Sequence, residues 1–209
     1  KPAHWQALHD ALVHSDITTL RLGDRFLTSF LRACDGARGA DFDCVMACFS
    51  LPTIKHLTLD SQWKNLRGGD EYWNRADWQA LMQLIFAIDP QTMAWCGRGL
   101  GAIDLAHWQS FCAMMPWLSM RQLTFLGYEC HIQFWSQQHW HALQEGLSHS
   151  AIHTLTIDSM DIGPCRNYSL LGMFACLRQS GLKRLRLAGL QLDRLNPQEW
   201  RAFSDVIIG

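Results

Sequence analysis

Eight cysteines and ten histidines are the side chains of this 209-residue chain with the most evident capacity for chemistry, as thiolate nucleophiles or zinc ligands. Their spacing does not organise that capacity. No two cysteines form a C-x-x-C pair, and Cys44 and Cys48 lie one helical turn apart. Cys130-His131, His139 and His141 bring metal-capable groups close in sequence, at a spacing that matches no zinc signature. The glycine-rich GRGLG of Gly97–Gly101 lacks the Lys-Ser/Thr and third glycine of phosphate-binding fingerprints. There is no G-x-S-x-G elbow and no H-E-x-x-H. The expectation is therefore no catalytic residue, no metal and no cofactor, with the cysteines packed as small hydrophobes in a reducing intracellular environment. A thiol- or zinc-dependent enzyme using the Cys and His residues is the alternative, and a structural spacer is a third reading.

Composition narrows the class. With 48 % apolar and 18 % charged residues, a continuous core is expected and global disorder is not. A net charge of −1 argues against a nucleic-acid partner. No apolar run approaches the roughly 20 residues of a bilayer-spanning helix. The chain starts on Lys1 with no signal-peptide pattern, and the N-terminus is expected to be incomplete.

The elements that would position any site come from a repeat. In His139–Ile162, Trp140, Leu143 and Leu147 fall at i, i+3 and i+7 on one helical face, and Ile152-x-x-Leu155-x-Ile157 alternates as a short strand does. The helix recurs seven times, anchored at Trp5, Phe42, Trp78, Trp108, Trp140, Tyr168 and Trp200. The anchors stand 37, 36, 30, 32, 28 and 32 residues apart. Leu8, Val45, Leu81, Phe111, Leu143, Leu171 and Phe203 follow at i+3, and Leu12, Phe49, Ile85, Met115, Leu147 and Ile207 at i+7. The sixth copy is irregular three times over. Ala175 breaks the i+7 column, Leu170 replaces a small residue, and the strand comes two places late, at Leu182. The anchor column is expected to be core, its rings forming a spine. Strands are predicted near Ile17–Leu22, Ile54–Leu59, Gln91–Cys96, Met120–Phe125, Ile152–Ile157 and Leu182–Leu187, all parallel, with seven helices on the other face. Asp41, Asp77 and Asn167, just before their anchors, are predicted helix N-caps.

The strand column IleTTLeuRLeu, IleKHLeuTLeu, MetRQLeuTPhe, IleHTLeuTIle and LeuKRLeuRLeu resembles the leucine-rich repeat family, most of all its ribonuclease-inhibitor-like subgroup, which includes effectors that bacteria inject into host cells. The resemblance covers essentially the whole chain. It implies an α/β solenoid, a horseshoe with a concave parallel sheet and convex helices, forming one domain over residues 1–209 of about six repeats. It further implies a protein-protein interaction module, the target-binding part of a secreted effector acting in host cytoplasm. One departure stands out: the family's ladder Asn or Cys is replaced by Arg25, Gln62, Arg98, Tyr128, Met160 and Leu190.

Strand alternation then gives the candidate binding residues. The concave columns contain Arg21, His56, Thr58, Gln122, Thr124, Thr154, Thr156, Arg184 and Arg186. Trp63, Tyr72 and Trp73, in the long connection Asp60–Ala76, fit no repeat position and are candidate partner anchors. Charge is segregated along the chain. Between Arg98 and Cys165 only Arg121 is basic, whereas Arg178–Arg194 holds Arg178, Lys183, Arg184, Arg186 and Arg194 against Asp193. The last anchor, Trp200, would place a further strand at about residue 212, so the sequence reads as a fragment of a longer repeat protein.

Overall fold

In a computed structural model, the structure describes residues 2–23, 26–27, 30, 46–60, 75–97, 100, 103–126, 132, 135–158, 168–189 and 192–208. Six strands, β1 (Thr19–Gly23), β2 (His56–Asp60), β3 (Thr92–Cys96), β4 (Gln122–Leu126), β5 (Thr154–Ile157) and β6 (Arg184–Leu187), form one sheet in sequence order. Every neighbouring pair is parallel. Helices α1 (Pro2–Val13), α2 (Arg75–Ile88), α3 (Leu105–Met114), α4 (Gln137–Ser148), α5 (Tyr168–Gln179) and α6 (Pro197–Ile208) alternate with them. Of the helix predicted around Phe42, residues 46–49 are helical and Phe42 itself lies outside the described residues. The result is a solenoid-like α/β architecture, in which spatial order follows sequence order.

The register is the one the leucine spacing requires. Thr19, His56, Thr92, Gln122, Thr154 and Arg184 align across the sheet, as do Arg21, Thr58, Ala94, Thr124, Thr156 and Arg186. The intervening residues Leu57, Leu59, Met93, Trp95, Leu123, Phe125, Leu155 and Ile157 are buried. Five strands start two residues later than predicted and β3 starts one later. The apolar residue ahead of it (Ile54, Met120, Ile152) is buried core lying outside the ladder. In its place the backbone forms another ladder. The carbonyls of Thr18, Lys55, Gln91, Arg121 and His153 each accept two consecutive N–H groups from the next repeat, at 2.7–3.3 Å. Ile17 is exposed rather than buried, because β1 is an edge strand with no repeat before it among the described residues.

Three sequence expectations change. Asp77 is not an N-cap: it is the third residue of α2 and is buried. His107, His139 and Glu199 hold the same place in α3, α4 and α6, behind the caps Asp104, Ser136 and Asn196. In α4 and α6 the polar residue before the anchor is thus a capping-box partner, which bonds back to the cap rather than acting as one, and in α3 His107 Nδ1 meets the Asp104 carboxylate. Asn196 Oδ1 accepts from the Glu199 N–H at 3.0 Å while Glu199 Oε2 accepts from the Asn196 N–H at 2.8 Å. Asn167 and Asp41 lie outside the described residues.

The sixth copy is anchored at Leu170, not Tyr168. Leu170, Met173 and Leu177 are its buried i, i+3 and i+7 residues, Gly172 is the small one, and Leu182 follows twelve places on. A single two-residue shift removes all three irregularities of that copy. An aromatic at Tyr168 had drawn the alignment away from an aliphatic anchor of the same role. The third change is at Trp200, which is exposed, unlike the buried anchors Trp78, Trp108 and Trp140.

The aromatic spine exists, and it is denser than the anchor column alone. Trp78 meets Trp95 at 6.2 Å between ring centroids, Trp95 meets Trp108 at 6.0 Å, Trp108 meets Trp135 at 4.4 Å, and Trp135 meets Trp140 at 4.9 Å. The indole N–H groups of Trp108 and Trp135 donate to the carbonyls of His139 and Leu100, at 2.9 and 3.0 Å. Rings with satisfied polar edges can be buried at no hydrogen-bond cost. Leu27 and Phe30 are buried and helical, and Phe30 packs edge-on against Phe49 at 6.4 Å. The side chains expected to depart from the family ladder (Arg25, Gln62, Arg98, Tyr128, Met160 and Leu190) lie outside the described residues.

Candidate docking surface

Because successive strand residues point to opposite sides, burying one leucine column on the helices turns the other side of the sheet toward solvent. Of the binding candidates, Arg21, His56, Arg184 and Arg186 are exposed, and Thr58, Gln122, Thr154 and Thr156 are partly so. Thr124 is the exception and is buried. The neighbouring Gln122 side chain reaches over it, with its amide donating to Thr124 Oγ1 at 3.5 Å. Trp63, Tyr72 and Trp73 lie outside the described residues.

Arg21 and His56 are engaged across neighbouring strands. Arg21 donates from Nε to Asp60 Oδ2 at 3.1 Å, and a second guanidinium N–H bonds the same oxygen. Hydrogen bonding to Asp60 raises the Arg21 pKa further above its ordinary value. The pair steps diagonally, from the second exposed column of β1 to the third column of β2. Asp60 could not be read as this partner from sequence, since the pairing needs the register. His56 Nδ1 lies 2.7 Å from Thr92 Oγ1 on the adjacent strand. Arg184 and Arg186, on the outermost strand, share one face two residues apart.

Among the described residues the cysteines and histidines do not converge, and no three His, Cys, Asp or Glu side chains form a metal set. Burial pushes the Cys112 thiol well above its ordinary value and that of Cys176 up to about 12. Cys96 is raised by partial burial and then by the negative charge of Asp60. Each shift disfavours the thiolate that nucleophilic chemistry requires. His139 is a structural group. Its Nε2–H donates to the Ile103 carbonyl at 3.2 Å, leaving Nδ1 to accept from the Ser136 hydroxyl at 2.8 Å. Burial lowers its pKa, against the opposing effect of the Ile103 carbonyl bond.

Among the described residues, grooves run between neighbouring helices. One, of about 740 Å³, separates α2 from α3 and is lined by Trp78, Met82, His107 and Ser110. The other, of about 390 Å³, lies between α3 and α4 beside Cys112, His141, Glu145 and His149. No helix among the described residues is long and apolar enough to cross a membrane. No family model matches the sequence, and no curated protein is significantly similar to it.

Proposed function

We propose that this chain is a protein-interaction module of leucine-rich-repeat type, docking a macromolecular partner on the exposed side of its sheet. The observation that carries the reading is the set of in-register polar columns with guanidinium groups at both ends and threonines between. Short hydroxyl side chains on a rigid strand surface lose little entropy when covered. The arginines supply forked donors for a partner's carboxylates. The horseshoe curvature and the narrower reading, the target-binding part of a secreted bacterial effector, rest on the family resemblance. A partner would be recovered by pull-down and identified by mass spectrometry. Its affinity should then fall for Thr154→Arg/Thr156→Arg at the middle of the face. It should also fall, with most of its salt dependence, for Arg184→Glu/Arg186→Glu at the end, while both variants keep the parent melting temperature. Unchanged affinity in the folded variants would remove this face as the docking surface.

A further inference from the structure

The rim of the sheet where the strands begin differs in charge from the rim where they end. The position just before each strand is held by Thr18, Lys55, Gln91, Arg121, His153 and Lys183 in turn. The backbone ladder on the carbonyls of the first five fixes this row in register, one residue per repeat. Neighbouring members therefore stand one strand spacing apart, about 4.8 Å. The segments leading into the strands, residues 14–18, 50–55, 89–91, 118–121, 149–153 and 180–183, are all described, and their only acids are Asp16 and Asp89. Asp89 is occupied by Ser119. Lys55 is half-buried, Arg121 and Lys183 are exposed, and among the described residues none of the three has an ion-pair partner. Lys55 and Arg121 lead into strands with a neighbour on each side, and the row members flanking them (Thr18, Gln91 and His153) are all uncharged or basic. At the opposite rim, Asp60 ends β2 and Asp158 follows β5.

We infer that this row binds an acidic segment of the partner protein, extended across the strand starts rather than along any one of them. The inference rests on the reading of the chain as an interaction module and adds the chemistry and direction of what it docks. A segment parallel to the strands would meet one cation of the row. One crossing them meets Lys55, Arg121 and Lys183 in turn, with Gln91 and His153 between as hydrogen-bonding side chains. From β2 to β6 is four strand spacings, about 19 Å, which about six extended residues span. Backbone hydrogen bonds already hold the row, so docking has only side chains to order. A nucleic acid fits less well. The large apolar side chains exposed among the described residues stand on helical segments or ahead of β1, so the sheet face offers no exposed phenyl or indole ring for base stacking. Asp60 and Asp158 would also repel a wider polyanion.

Fluorescence anisotropy with labelled oligoglutamates of two, four, six and ten residues tests this. Affinity should climb steeply up to about six residues, the number that crosses the row, and little beyond, and it should fall as salt is added. Lys55→Glu and Arg121→Glu should each weaken the six-residue peptide by about tenfold or more, the loss of one charge-assisted bond. The double variant should bind oligolysine instead. Arg201→Glu, the same charge change on α6, should leave oligoglutamate affinity unchanged, and all the variants should keep the parent melting temperature. Absence of saturable oligoglutamate binding, equal weakening in Arg201→Glu, or tighter binding of a single-stranded oligonucleotide than of the peptide would overturn the proposal. So would a lower melting temperature with unchanged affinity in Lys55→Glu and Arg121→Glu, which would assign these cations to the helix C-termini at the same rim. If a captured partner depends on Thr154 and Thr156 but not on Lys55 and Arg121, the row is refuted and the docking face stands. If it depends on none of the four, both readings fall.

Discussion

Gly146 lies in the middle of α4, where a Cβ would come within 2.7 Å of the Cys112 carbonyl oxygen and 2.9 Å of Met115 Sδ. Alanine gains up to about 1 kcal/mol over glycine in a helix, but backbone atoms of α3 cannot give way as a flexible side chain does. Overpacking of this kind costs about 1–3 kcal/mol. Gly146→Ala is therefore expected to lower the denaturation midpoint. Gly172→Ala, whose Cβ would meet only Trp140 Cδ1 at 3.3 Å, should stay within about 1 kcal/mol of the parent. At Trp140 the cost of truncation to alanine should be about 3–5 kcal/mol, and at the exposed Trp200 below about 1 kcal/mol. Equal losses at the two sites would contradict their difference in burial. His139 gives a pH signature. Its folded pKa lies below the ordinary 6.5, so just below that pH the unfolded chain binds more protons than the folded one. Its contribution is complete above pH 6.5 and declines as pH falls toward the folded value. The difference in unfolding free energy between the parent and His139→Gln should vary with pH only in that window.

Between elements, the joints are side chains that tie one repeat to the next. Asp89, at the end of α2, has a φ of 44° and accepts from Ser119 N–H at 2.6 Å and from its hydroxyl at 2.7 Å. That stitches the turn before β3 to the turn before β4. Asp89→Ala would forfeit two bonds to a charged acceptor and leave a non-glycine residue in the left-handed region. The expected loss is about 2–3 kcal/mol by urea unfolding. Asp89→Gly should recover part of it by relieving the backbone. Recovery would separate conformational strain from lost hydrogen bonds, and the absence of any loss would show the joint to be ornamental. Two joints later, Gln144 and Ser148 on α4 both reach Gln179 of α5, through the side-chain oxygen at 2.7 Å and the backbone carbonyl at 3.3 Å.

At the scale of the whole molecule, stability should be graded along the array, since each unit touches only its neighbours. β2, β3, β4 and β5 have a strand on both sides and fully buried inward columns, whereas β1 and β6 are edges of the described sheet with partly buried ones. Amide hydrogen exchange is expected to be slowest in β2–β5 and fastest in β6, where local opening costs least. Thiols give a second readout of the same gradient. Cys112 and Cys176 should resist labelling at neutral pH until the chain unfolds, because burial withholds both access and the thiolate. One hyper-reactive thiol in the native protein would revive the enzyme alternative.

Much of this was legible in the sequence because a repeat reports the same constraint many times over. The spacing of Leu57, Leu123 and Leu155 within their strands sets which side chains alternate inward, and successive copies must pair in register to bury them. The two exposed columns followed directly. Position within a helix turn was less legible. Asp77 precedes its anchor as a cap often does, yet the start of α2 at Arg75 puts it inside the first turn, the place His139 holds in α4. Tyr168 is the aromatic of its copy, but the anchor is the aliphatic Leu170, as the joint burial of Leu170, Met173 and Leu177 shows. Sequence alone determined the strand–helix alternation and its period, which are local patterns of apolar residues. Tertiary structure alone decided the Arg21–Asp60 bridge and the burial of Thr124. Each of those depends on what the neighbouring strand provides, and a single strand's residues carry no record of that.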